Sequence, residues 1–161
     1  AALGGKPVLM EEFGGCTAEP GRESYYWEWE ALGIKRRQFM ASEEDLAEYL
    51  RLVLPKLQES GATGAMLWCF ADYVEKLWDK PPCSTAKHER FFGMVRPDGS
   101  LKPHAKVIQE FAATKPQVQP TPDWAKLDID PQEFYSDPNQ MVRKHYPAYL
   151  AALEKSAVPA N

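Results

Sequence analysis

Lys6-Pro7-Val8-Leu9-Met10-Glu11-Glu12-Phe13-Gly14 is the stretch on which the fold turns. An apolar run with a β-branched residue, opened by proline and closed by glycine, reads as a strand covered on both faces. It ends abruptly in two carboxylates. Glutamate is rarely buried without a partner or a task, so either the strand has simply ended in water or the paired acids carry chemistry.

A second run of the same kind lies further on, Gly64-Ala65-Met66-Leu67-Trp68-Cys69-Phe70-Ala71-Asp72-Tyr73, again apolar and again ending in polar groups. Between the two, Ser42-Glu43-Glu44-Asp45 opens a helix: serine suits the N-cap, the acids favour the positive helix end, and Asp45 stands where a capping box wants a carboxylate. Leu46, Leu50, Val53, Leu54 and Leu57 recur at helical spacing and bury one face, with Pro55 expected to kink the helix and Gly61 to stop it. Strand, helix and strand in this order predict a βαβ unit with two parallel strands, whose carboxyl edge gathers Glu11 and Glu12 with the segment from Trp68 to Asp72.

The connection 15–41 contains Tyr25-Tyr26-Trp27-Glu28-Trp29, flanked by Arg22, Lys35, Arg36 and Arg37. Flat rings beside carboxylates suit sugars, because pyranose C–H faces stack on aromatic rings while polar groups take the hydroxyls. The alternative is that the rings cap a core. Downstream, Pro97-Asp98-Gly99 is a turn signal, Pro103 suits the first turn of a helix with Val107, Ile108 and Phe111 as its apolar contacts, and 116–122 reads as an extended proline-punctuated spacer. Asp137-Pro138 caps a last helix with Val142, Tyr146, Tyr149, Leu150 and Leu153 on its apolar face and Pro147 as a kink. Two regions are expected: 1–114, the βαβα part, and 115–161, the spacer with a helix packing on it.

The 161 residues are 44% hydrophobic and 26% charged with a net charge of -4, ordinary values for a globular chain. No basic block suggests a nucleic-acid groove, and no apolar run approaches the roughly 20 residues of a membrane span, so a soluble partner or substrate is expected. The start lacks a methionine and a signal-peptide pattern and reads as a cut or processed end; a cytoplasmic setting is favoured over secretion. Cys16, Cys69 and Cys83 have no CxxC spacing. Cys16 and Cys83 can form one bridge in a secreted protein, whereas the odd count favours free thiols, and Cys69 reads as a buried small hydrophobe. His88, His104 and His145 are scattered, so neither a metal site nor a cofactor is expected.

Together, the motifs at 6–14, at 64–73 and at Phe91-Phe92-Gly93-Met94-Val95-Arg96-Pro97-Asp98-Gly99-Ser100-Leu101-Lys102-Pro103 resemble the C-terminal end of a (β/α)8-barrel retaining glycoside hydrolase of the cellulase and β-mannanase-like type. The segment from Asp130 to Pro138 resembles a tail in this group. The resemblance implies an α/β fold, a partial (β/α)8 barrel of two parallel strands with flanking helices. It implies that Glu12, on the seventh strand, is the catalytic nucleophile and that Trp68, on the eighth, floors the sugar subsite. Asp72, Tyr73, Trp27 and Trp29 become substrate-cleft positions. Adjacent strand residues face opposite ways, so Glu11 points toward helices or solvent, as an ion-pair partner.

A full barrel needs eight strands and about 250 residues. Retention requires two carboxyl groups about 5 Å apart, and the family's acid/base glutamate, which follows an asparagine, has no counterpart because no Asn-Glu pair occurs. Open sheet edges then predict association, with the missing N-terminal barrel portion or with further copies of the chain. The functions expected are a β-glycosidase fragment holding the nucleophile alone, or a catalytically silent carbohydrate-binding or self-associating half-barrel fragment.

Overall fold

The computed structural model describes residues 7–156, so Lys6 lies outside the described residues. The regular elements are β1 (Val8–Phe13), β2 (Tyr25–Ala31), β3 (Ile34–Met40), α1 (Glu43–Glu59), β4 (Ala62–Leu67), α2 (Pro103–Ala113), α3 (Pro131–Ser136) and α4 (Pro138–Ser156). The fold is mixed α/β: β1 and β4 form a two-stranded parallel sheet, and β2 and β3 a separate two-stranded antiparallel one.

The chain gathers into two compact units. One takes the residues up to Met10, Lys56–Gly64 and the chain from Gln117 onward; the other takes Glu11–Pro55 and Ala65–Pro116. The C-terminal segment shares its unit with the first strand residues and the turn into β4.

In the larger unit the expected helix starts form. The Asp45 N–H donates to Ser42 Oγ at 3.0 Å, the N-cap bond. The carboxylate of Asp45 does not close a capping box on Ser42. Instead Ser24 relays between them, accepting the Ser42 N–H at 2.7 Å and donating to Asp45. Leu46, Ala47, Leu50 and Leu54 form the buried stripe of α1. Ala47, Leu50 and Leu54 meet Val107 of α2, with Phe13, Leu67, Ile108 and Phe111 packed around them. Pro55 does not end α1, which continues to Glu59. A second core holds Cys16, Ala18, Met40 and Phe91, with Tyr25, Trp27, Trp78 and Phe92 against it. Cys16, Cys69 and Cys83 are free thiols; Cys16 and Cys83 are buried, and burial pushes the Cys16 thiol up to about 11.

Three expectations need correction. The aromatic stretch is half of a hairpin rather than a connection, and its turn Leu32-Gly33 has positive φ at both residues, 55° and 71°, the type I′ pattern. The second strand ends at Leu67 rather than Tyr73. Beyond it the backbone pairs with 92–95, through bonds such as Cys69 N–H to the Phe92 carbonyl at 2.9 Å and Asp72 N–H to the Val95 carbonyl at 2.9 Å. Finally, neither strand of the parallel sheet is covered on both faces among the described residues: Leu9 and Met66 are each half exposed.

In the smaller unit, Gly61 (φ +83) ends α1 as expected, its N–H reaching the Gln58 carbonyl at 3.0 Å. Asp130 caps α3 through the Gln132 N–H at 2.8 Å, and Asp137 caps α4 through the Gln140 N–H at 3.1 Å. The buried residue of α4 is Met141; Val142, Tyr146, Leu150 and Leu153 are at least a third exposed. No helix among the described residues is long and apolar enough to cross a membrane.

Candidate functional site

The site grows from the exits of β1 and β4, both within the larger unit. Phe13 and Leu67 pack on the α1–α2 cluster, so they mark the helix-facing side of their strands. Strand residues alternate, which puts Glu12 on the side away from the helices. Trp68 follows directly on the end of β4. The two strand ends are tied by the Trp68 N–H donating to the Phe13 carbonyl at 2.9 Å. Glu12 is exposed and Trp68 is half exposed. Neither Glu11 nor Glu12 has an ion-pair partner among the described residues, so the expected pairing of Glu11 is not found.

Gly14 makes this approach feasible. Its φ of +120 disfavours any side chain, and a Cβ there would stand 2.5 Å from Leu67 Cδ1 and 3.4 Å from the Trp68 carbonyl oxygen. Strand exit, glycine and tryptophan therefore form one steric unit.

Asp72 is placed differently from the cleft position that the resemblance implies. Its carboxylate turns inward, with a side chain only 4% exposed, onto the 1% exposed side chain of Lys102. Lys102 Nζ donates to Asp72 Oδ1 at 2.9 Å, to Thr17 Oγ1 at 2.9 Å and to the Phe91 carbonyl at 3.2 Å. Gly93 N–H donates to Asp72 Oδ1 at 2.7 Å, and only glycine fits there, since a Cβ would lie 2.0 Å from the Asp72 nitrogen. Burial pushes the Asp72 carboxyl up and the Lys102 ammonium down, and each group pulls its partner the other way. Asp72 is thus an internal anchor of the segment that follows Trp68.

A second ion pair lies in the same unit. Arg96 Nε donates to Glu43 Oε1 at 3.0 Å and its Nη2 contacts Oε2, a two-point clamp at the start of α1. His104 is fully buried, and among the described residues neither ring nitrogen makes a hydrogen bond of good geometry. Burial, with Lys102 and Arg96 nearby, pushes its pKa down to about 4, so the ring is neutral at pH 7. None of these partners was legible beforehand; the only sequence signal is the density of basic residues in Arg96-Pro-Asp-Gly-Ser-Leu-Lys102.

Tyr73 is 40% exposed, and its carbonyl accepts the Trp78 indole N–H at 3.0 Å. Trp27 and Trp29 stack in parallel, centroids 4.2 Å apart with 4° between planes. His88 touches both rings and also Phe92, whose carbonyl holds the N–H of Cys69, next to Trp68. Burial pushes the His88 pKa down. Trp27 packs on the Cys16–Met40 core, as the core-capping alternative required, whereas Trp29 stands outside it. The backbone thus joins the end of β1, next to Glu12, to Trp68, and among the described residues Trp27 and Trp29 connect to that segment through His88, Phe92 and backbone.

Compared with protein-family models, curated proteins and solved structures, the chain matches none of them.

Proposed function

We propose that the chain is part of a retaining β-glycosidase of the cellulase and β-mannanase-like type, a partial (β/α)8 barrel with Glu12 as its nucleophile and Trp68 as the floor of the sugar subsite. The supporting observation is an exposed carboxylate without an ion-pair partner among the described residues, Glu12, and a half-exposed tryptophan, Trp68, at adjacent strand exits tied by the Trp68 N–H to Phe13 carbonyl bond. In the first step a Glu12 carboxylate oxygen bonds to the anomeric carbon while the bond from that carbon to the leaving oxygen breaks, and the leaving oxygen takes the electron pair. An ordinary sugar alkoxide leaves only if a second carboxyl group, about 5 Å away, protonates it. Asp72 is committed to Lys102, so the acid comes from a partner segment that also covers the open edges of β1 and β4.

A dinitrophenolate needs no proton to leave, which isolates the role of Glu12. Incubation with a 2,4-dinitrophenyl 2-deoxy-2-fluoro-β-glycoside should add one glycosyl mass to the peptide carrying Glu12, and Glu12→Ala should abolish the addition while far-ultraviolet circular dichroism stays unchanged. Labelling that persists in Glu12→Ala, or no labelling of the native chain in its assembled form, overturns the nucleophile role. The commitment of Asp72 also favours a second reading, a carbohydrate-binding fragment without turnover; tryptophan quenching by cello- or manno-oligosaccharides without labelling selects it.

A further inference from the structure

The β2–β3 hairpin separates its side chains into two faces. Direct pairing of Trp27 with Gln38, Trp29 with Arg36 and Ala31 with Ile34 places these residues on one face; Tyr26, Glu28, Glu30, Lys35, Arg37 and Phe39 take the other. The second face is satisfied within itself. Arg37 stacks on Tyr26 at 3.5 Å and pairs with Glu28 at 3.7 Å, and Lys35 stands directly opposite Glu30. On the first face Arg36 is exposed and has no ion-pair partner among the described residues.

Trp29 beside it has one side of its ring on Trp27. His88, 5.7 Å from the Trp27 centroid and 5.2 Å from that of Trp29, flanks the stack and does not cap it. Beyond Trp29 this face continues with Ala31, a single methyl, and the exposed Ile34 opposite it, and Trp29 itself is half-buried, so part of its surface remains accessible. Directly opposed residues hold their Cβ atoms about 5 Å apart. A ring that offers a stacking surface and an unpaired guanidinium at this spacing match a pyranose that carries a carboxylate, because a guanidinium takes a carboxylate through two parallel hydrogen bonds.

We propose that the Trp29–Arg36 face binds β-linked sugars bearing a carboxylate, that is, uronate-containing chains. The inference rests on the carbohydrate reading above and adds the charge of the substrate to it. Trp29 supplies the stacking surface and Arg36 the selectivity. Lys35 and Arg37, on the other face, take no part.

The test uses two probes that differ only at C6, β-1,4-linked tetramannuronate and mannotetraose, titrated calorimetrically against the whole chain at low salt. The acidic probe should bind about tenfold more tightly. Arg36→Gln should bring the ratio close to one without weakening mannotetraose, Lys35→Gln should leave the ratio unchanged, and Trp29→Ala should weaken both probes. Equal affinities in the native chain, or a ratio that survives Arg36→Gln, overturn the uronate assignment while the carbohydrate reading stands. Failure of both probes to bind overturns the assignment of this face altogether, and the Glu12 labelling still decides the glycosidase reading on its own.

Discussion

Replacing Lys102 with methionine keeps the length of the side chain and removes its charge, which isolates the ion pair with Asp72. The native ammonium makes three hydrogen bonds inside the larger unit, to Asp72, Thr17 and the Phe91 carbonyl. Without it, the Asp72 carboxylate stays buried with the Gly93 N–H as its remaining donor among the described residues. Breaking a buried pair from one side costs about 3–5 kcal/mol, a large share of the roughly 5–15 kcal/mol that holds a domain together. Removing both charges is a different matter. Burial works against the ionised form of each group, and in Asp72→Asn/Lys102→Met the amide oxygen still accepts from Gly93. The double variant should therefore recover at least about 2 kcal/mol of the loss. Urea unfolding at pH 7, followed by circular dichroism, measures both. A loss under about 1 kcal/mol for Lys102→Met, or a double variant no more stable than the single one, would refute the assignment of Asp72 as an internal anchor.

Two further predictions concern acid and assembly. His104 has a folded pKa of about 4 against an ordinary value of 6.5, so below 6.5 the unfolded chain binds the proton first and stability falls as pH drops toward 4. Its contribution to unfolding free energy should be about 2 kcal/mol lower at pH 5 than at pH 7; His104→Leu should flatten that part of the pH profile, and an unchanged slope would refute it. The uncovered strands β1 and β4 predict association, read by sedimentation velocity at micromolar concentration. A well-folded monomer under those conditions would count against completion of the sheet by a partner.

The parts of the fold that follow local rules were legible. The α1 stripe from Leu46 to Leu54, the Ser42 cap, the Pro97-Asp98-Gly99 turn and the start of α2 at Pro103 each rest on signals within a few residues. What sequence could not convey was long-range pairing. Tyr25–Ala31 alternates as a strand should, but its turn uses Leu32 in the left-handed region, where asparagine or glycine is the usual signal, so the hairpin was hidden. The apolar run after Leu67 continues without a break, and only its pairing with 92–95 ends the strand. At the candidate site, Glu12 stood out as one of the acids that close an apolar run, whereas Trp68 was singled out by the resemblance alone. Asp72 was not, since its orientation is fixed by Lys102, 30 residues away.

The exposure of Glu12 at the exit of β1 has a bearing on how such a chain evolves. Stability is vested in residues that look the other way: Phe13 and Leu67 toward the helices, Asp72 toward Lys102. A substitution at the exposed Glu12 is therefore close to neutral for folding. On the glycosidase reading proposed above, a lineage can lose the reaction, or exchange it for simple recognition of a ligand, without first acquiring compensating mutations in the core.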